Sequence, residues 1–166
     1  PEAIEDNHVT TNFGEFCAQV QTFINAQLPY ARQTRDHHLM HSPDENGQLP
    51  LHKALCENAA TLGSIKLLVK GNPSAVCTFD NRFRIPLHLA CQHHETPAVV
   101  EYLIGLNKVT LGATDEEGNT VLHYACRGGN HVIIGLLLDK YSGSMSVSKG
   151  NALNQLPIHL LLESND

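Results

Sequence analysis

The sequence predicts an all-α solenoid of stacked helix-turn-helix units, each led by a β-turn or hairpin finger, with a capping helix at the N-terminal end. Two observations carry that reading. A six-residue block recurs four times: Leu49-Pro50-Leu51-His52-Lys53-Ala54, Ile85-Pro86-Leu87-His88-Leu89-Ala90, Thr120-Val121-Leu122-His123-Tyr124-Ala125 and Leu156-Pro157-Ile158-His159-Leu160-Leu161, its histidines 36, 35 and 36 residues apart. After each of the first three blocks, a second apolar pattern follows at helical spacing. A fixed period of this length is the mark of a repeat architecture, in which no unit hides its apolar stripe alone and stacking closes the core.

Each block begins a first helix. Proline at 50, 86 and 157 suits the first helical turn, where its missing N–H has no intrahelical partner anyway. Each block also follows a turn: Asp44-Glu45-Asn46-Gly47, Asp80-Asn81-Arg82-Phe83, Asp115-Glu116-Glu117-Gly118 and Asn151-Ala152-Leu153-Asn154, opened by Asp or Asn and in three cases closed by Gly or Asn. The second helices are marked by Ile65, Leu67 and Leu68, by Val99, Val100, Leu103 and Ile104, and by Ile133, Ile134, Leu136 and Leu137. Thr96-Pro97 predicts an N-cap and first helical position for the second of these. The expected units are 44–79, 80–114, 115–150 and a partial fourth, 151–166.

Ahead of them, Phe13, Phe16, Cys17, Val20, Phe23, Ile24 and Leu28 share one helical face. They predict an amphipathic helix over about 13–27, read as the outer half of a degenerate leading repeat that caps the stack within 1–43. The path from Pro29 to His52 is eight residues longer than that from Pro73 to His88, which predicts an exposed, His-rich insertion around Arg35 to Pro43. At the other end the fourth unit carries one helix, so further repeats or another chain are expected to cover the end near Leu161 and Leu162, within a longer parent protein.

Composition narrows the function. Eleven Lys+Arg against seventeen Asp+Glu give a formal charge of -6, which disfavours a nucleic-acid partner, since such affinity comes from clustered cations. No apolar stretch is long enough for a membrane span. Five cysteines without a C-x-x-C pair suggest a reducing, intracellular setting, cytoplasmic or nuclear, with Cys91 and Cys126 as core filler.

Chemistry is hard to find. Neither a glycine-rich phosphate cradle nor a nucleophile with a base is visible, so no enzymatic activity and no cofactor are expected. Gly128-Gly129 reads as a tight junction between helices, and Asp115, Glu116 and Glu117 as a solvated charge run. His37-His38-x-x-His41 is the better metal candidate, though it lacks a defined fourth ligand or a His-Glu-x-x-His frame. The four block histidines sit on helices that pack about 8–10 Å apart, too far to share one ion.

The recurring block and its turn resemble the ankyrin repeat family, whose units of about 33 residues carry Thr-Pro-Leu-His-x-Ala after a β-turn. The resemblance covers roughly residues 44–166. It implies a protein-binding module with no chemistry of its own, in which His52, His88, His123 and His159 hydrogen-bond turn backbone and lock neighbouring units. It also implies partner contacts on the turn tips and exposed first-helix positions, a concave face. Mapped here, these are Glu45, Asn46 and Gln48; Asn81, Arg82, Phe83 and Arg84 with Gln92 and His93; and Glu116, Glu117 and Asn119 with Arg127. Arg82-Phe83-Arg84 stands out, because Arg and aromatic residues are enriched at interface hot spots.

Three departures from the family pattern matter. Leu49, Ile85 and Leu156 replace the threonine, so only Thr120 can offer its histidine a hydroxyl. Phe83 stands where glycine would tolerate a left-handed backbone, so that turn takes another geometry or accepts strain. Extra residues near Asn58-Ala59 and His94 lengthen two inter-helix links. Two other readings remain: a regulatory or targeting segment of a multidomain enzyme, and a metal-responsive module built on the His-rich insertion.

Overall fold

The computed structural model describes residues 39–56, 60–93, 96–141, 143 and 147–163. They fall within one compact unit, His38–Asp166. The expected capping helix, His37 and His38, Asn58-Ala59 and His94 lie outside the described residues.

Seven helices follow in pairs, then one alone: α1 (Pro50–Cys56) with α2 (Leu62–Gly71), α3 (Pro86–His93) with α4 (Pro97–Leu106), α5 (Val121–Arg127) with α6 (His131–Tyr141), and α7 (Pro157–Glu163). A 3₁₀ turn leaves the second helix of the first two pairs, at Pro73–Cys77 and Lys108–Gly112. The described residues form no strand ladder; one isolated bridge, Thr114 to Thr120, flanks the third finger. The prolines begin α1, α3 and α7 as expected. Thr96 holds the N-cap position of α4, but its side chain makes no capping hydrogen bond.

First helices pack in series, α1 on α3, α3 on α5 and α5 on α7, and second helices do likewise, α2 on α4 and α4 on α6. The buried stripe of α3 and α4 is continuous: Leu87, Leu89, Ala90 and Cys91 meet Val99, Val100, Leu103 and Ile104, all at 1% exposure or less. Cys91 and Cys126 are buried thiols, as expected of core filler, and burial pushes the Cys126 thiol up to about 11. Across the second helices, Lys66 lies 5.5 Å above the Tyr102 ring and Lys140 pairs with Glu101.

Two expectations need correction. The stretch around Arg35 to Pro43 is not wholly an exposed insertion: residues 39–41 are helical, Met40 is buried, and the Asn72 amide donates to its carbonyl at 3.0 Å. An unbranched side chain such as Met fills an irregular gap, which the charged and His-rich neighbours concealed. On α7 the buried apolar residue is Leu160, whereas Ile158 and Leu162 are 51% and 63% exposed.

Candidate functional site

One device repeats at every finger. The opening Asp or Asn closes the turn with its carbonyl, accepting from Gly47, Phe83, Gly118 and Asn154 N–H at 2.9, 3.0, 3.1 and 2.8 Å. Its Oδ1 accepts two further backbone N–H groups, two and four residues on: Asn46 and Gln48, Arg82 and Arg84, Glu117 and Asn119, Leu153 and Gln155. Each tip is thereby fixed before any partner arrives.

The remaining oxygen of each Asp meets a different donor. Lys53 reaches Asp44 at 3.0 Å. Arg84 reaches Asp80 through Nε at 2.8 Å and Nη2 at 2.7 Å. Asp115 accepts from the Asn119 amide at 3.0 Å and the Tyr124 hydroxyl at 2.8 Å. Burial by itself would raise the Asp80 carboxyl, but the Arg84 side chain and the two backbone donors outweigh it and hold it below the ordinary range. For Tyr124, burial and the hydrogen bond to Asp115 both push the phenol upward. Asp115 is thus buried rather than part of a solvated charge run, while Glu116 and Glu117 are exposed.

Neighbouring fingers are joined backbone to backbone. Asn81 N–H donates to the Asn46 carbonyl at 3.0 Å, Glu116 N–H to Arg82 at 3.1 Å, and Ala152 N–H to Glu117 at 2.8 Å. The Asn81 amide adds a bond to the Glu45 carbonyl at 3.0 Å. At the far end of the first helices, a Cβ on Gly128 would stand 2.3 Å from the Gln92 carbonyl oxygen, so only glycine permits this approach.

The block histidines tie unit to unit. In His52, His88 and His123, Nδ1 accepts from the backbone N–H three residues earlier, at 3.2, 3.1 and 3.1 Å. Nε2 then carries the proton and donates to Thr78, Ala113 and Gln155 carbonyls in the following unit, at 3.1, 3.3 and 3.0 Å. All three rings are fully buried. Burial lowers their pKa values, that of His88 to about 4, so they are neutral and fixed in one tautomer. As expected, Thr120 adds its hydroxyl to His123 Nδ1, at 2.8 Å. His159 keeps the first bond, from Leu156 N–H at 3.0 Å, but is exposed, and its Nε2 has no hydrogen-bond partner among the described residues. Each buried ring spends both nitrogens on backbone, which leaves no lone pair for a metal; the described residues contain no cluster of three or more His, Cys, Asp or Glu able to hold one.

The residues expected to meet a partner separate by burial. Glu45, Asn46, Asn81, Arg82, Phe83, Glu116, Glu117 and Arg127 are exposed, and Gln48, Arg84, Gln92 and His93 are half-buried. Asn119 is fully buried, its amide shared between Asp115 and Glu117 and its Oδ1 accepting from Asn151, so its role is to hold the fingers together. Arg84 is mainly committed to Asp80. Phe83 adopts the left-handed backbone, φ 55°, where the other fingers place Gly47, Gly118 and Asn154, and its ring stays 60% exposed, 6.2 Å from the Phe79 ring. The turn keeps its geometry and accepts the strain. Tyr124 was not foreseen; it lies 4.9 Å from the His88 ring and under the Arg127 guanidinium at 5.5 Å, and its position one residue after a block histidine is the signal for it.

A stack of helix pairs with rigid, exposed finger tips and no assembled catalytic group belongs to the class of repeat folds built for protein contact. Residues 87–166 match the family model for ankyrin repeats (3 copies), and the chain is a member of the ankyrin repeat family. It is similar to the SMC5-SMC6 complex localization factor protein 1 of Homo sapiens, 34% identical over 118 residues, 71% of this chain and 11% of that protein. Similarity also extends to the nuclear factor NF-kappa-B p105 subunit of Rattus norvegicus, 30% identical over 132 residues, 77% of this chain and 13% of the relative. Alpha-latrotoxin-Lg1a of Latrodectus geometricus is 31% identical over 94 residues, 57% of this chain and 7% of the toxin. The chain therefore spans only a small part of the length of the curated relatives it matches. Ankyrin repeats are in general protein-protein interaction modules and a non-catalytic fold. No helix among the described residues is long and apolar enough to cross a membrane.

Proposed function

We propose that this chain is a scaffold or adaptor segment that holds a protein partner against its finger tips and the adjoining ends of its first helices. The surface comprises Glu45, Asn46, Asn81, Arg82, Phe83, Glu116 and Glu117, with Gln92, His93 and Arg127 behind them; Gln48 and Arg84 support it from below. One observation carries the reading: exposed tips are joined through their backbones into a single row, so a partner meets a surface already ordered and little conformational entropy is lost on association. The repeats are divided at 44–79, 80–114, 115–150 and 151–166, each beginning at its finger. The thiols and the similarity to a protein named as a nuclear factor favour an intracellular setting, cytoplasmic or nuclear.

A photo-crosslinking amino acid placed singly at Arg82, Glu117 and Arg127, and in parallel at Lys70 and Asp139 on α2 and α6, tests this reading. Defined adducts from the first set and none from the second are expected in an extract of the source cells. Adducts confined to α2 and α6 would move the site to the opposite helices. A second reading, a regulatory or targeting segment of a larger protein, is favoured by the small fraction of each relative that the chain spans. The surface is the same in both.

A further inference from the structure

A second apolar surface lies away from the finger tips, where two successive inter-unit linkers run side by side. Cys77, Phe79 and Ile85 from one, and Asn107, Val109, Thr110, Gly112 and Ala113 from the next, line an open pocket of about 420 Å³. Its floor is rigid. Ile85 is buried, and the Ala113 carbonyl is the one that receives His88. The Asn107 amide donates to Cys77 Sγ at 3.0 Å and joins the two linkers. Its rim is apolar and uncovered, with Phe79 50% and Val109 81% exposed, and Phe83 extends it beyond Phe79.

The charges around it point one way. Within 73–85 and 107–113 the charged residues are Asp80, Arg82, Arg84 and Lys108. Asp80 is buried and Arg84 is bound to it, so that pair cancels. Arg82 and Lys108 remain, exposed and without an ion pair among the described residues, on a chain whose formal charge is -6. Arg82 adjoins Phe83 in sequence and Lys108 adjoins Val109, so one cation flanks each side of the apolar rim. Strain adds a separate argument. Phe83 holds a left-handed backbone that the sibling fingers assign to Gly or Asn, which selects for its exposed ring rather than for the turn.

We propose that this pocket seats a large apolar side chain, aromatic or branched aliphatic, from an extended partner segment whose flanking residues are acidic. The pocket volume lies in the range typical of ligand sites, while its open, half-exposed rim suits a side chain delivered on a peptide better than an engulfed small molecule. Anchors of this kind, ringed by complementary charge, are how a few residues dominate an interface. The surface goes beyond the finger-tip reading, and Phe83 alone is shared between them.

The test uses the intact chain, labelled with nitrogen-15, and three synthetic peptides in a Gly/Ser background. The first has a central Phe flanked by two Glu on either side; the second replaces the Phe by Ser; the third replaces every Glu by Lys. The first is expected to shift the amide resonances of 77–85 and 107–113, with at least fivefold tighter binding than either control. Val109→Glu, at a site too exposed to disturb folding, is expected to abolish those shifts, and Arg127→Ala to leave them unchanged. The proposal is overturned if the first peptide produces no shift, if the Ser or Lys peptide matches it, or if Val109→Glu has no effect. Shifts that map instead to Gln92, Arg127 and Glu117 would overturn the pocket while supporting the finger-tip surface.

Discussion

The second unit and the fourth carry the same block, yet their histidines differ in what surrounds them. His88 is sealed between Ile85 N–H and the Ala113 carbonyl, with the Tyr124 ring beside it; His159 makes only the first bond and faces water. The motif alone builds the local turn. Its larger contribution arises when a following unit supplies a carbonyl and covers the ring, so the energetic weight of one sequence motif is set by its neighbour.

Substitution by alanine should separate the two units most. His88→Ala leaves a buried N–H and a buried carbonyl unpaired and removes a packed ring, for an expected loss of about 4 kcal/mol in urea unfolding. His159→Ala should cost less than about 1 kcal/mol. Equal losses would mean that the motif acts locally and that the inter-unit bond adds nothing.

Acid sharpens the contrast next. The folded-state pKa of His88 is about 4, lowered by burial from 6.5. Between those values the unfolded chain holds a proton that the folded chain lacks. Stability therefore rises with pH through this window, is fully present above about 6.5, and is lost as pH falls toward 4. From pH 7 to pH 5 His88 should account for about 2 kcal/mol of the loss, measured by urea unfolding at each pH. Buried His52 and His123 are shifted in the same direction and steepen the slope.

The smallest effect concerns the fingers of the same two units, where Phe83 and Asn154 both adopt left-handed backbone. Phe83→Gly should stabilise the fold by roughly 0.5–1 kcal/mol, since glycine meets no Cβ clash there, although the contact with Phe79 is lost. Asn154→Gly should gain less, because Asn tolerates the region better than Phe. A thermal melt distinguishes the two. If Phe83→Gly lowers the melting temperature, the ring contributes to stability through Phe79 rather than being kept for a partner.

Much of the fold was legible because the physics that fixes it is periodic. Pro50, Pro86 and Pro157 mark helix starts by what proline lacks, the Asp and Asn openers mark fingers by what a short carboxyl or amide can reach, and histidine spacing gave the unit length. The candidate surface was less legible because exposure depends on contacts between units. Asp115 looked like one member of an acidic run, but Tyr124, nine residues on, and Asn119 enclose it. Asn119 seemed available and proved to be fully buried. Arg84 looked like half of a cationic pair around Phe83, and its partner is the Asp80 that opens its own turn. The linker pocket left no sequence signal, since Phe79 and Val109 are apolar residues that read as core until the backbone turns them outward.

Thr78, Ala113 and Gln155 have nothing in common as side chains, yet each offers its histidine the same atom. A joint that recognises main chain is indifferent to mutation at the accepting position. Evolution can therefore copy a unit, splice it elsewhere in the array, or rewrite its exposed residues for a new client, while every seam continues to fit.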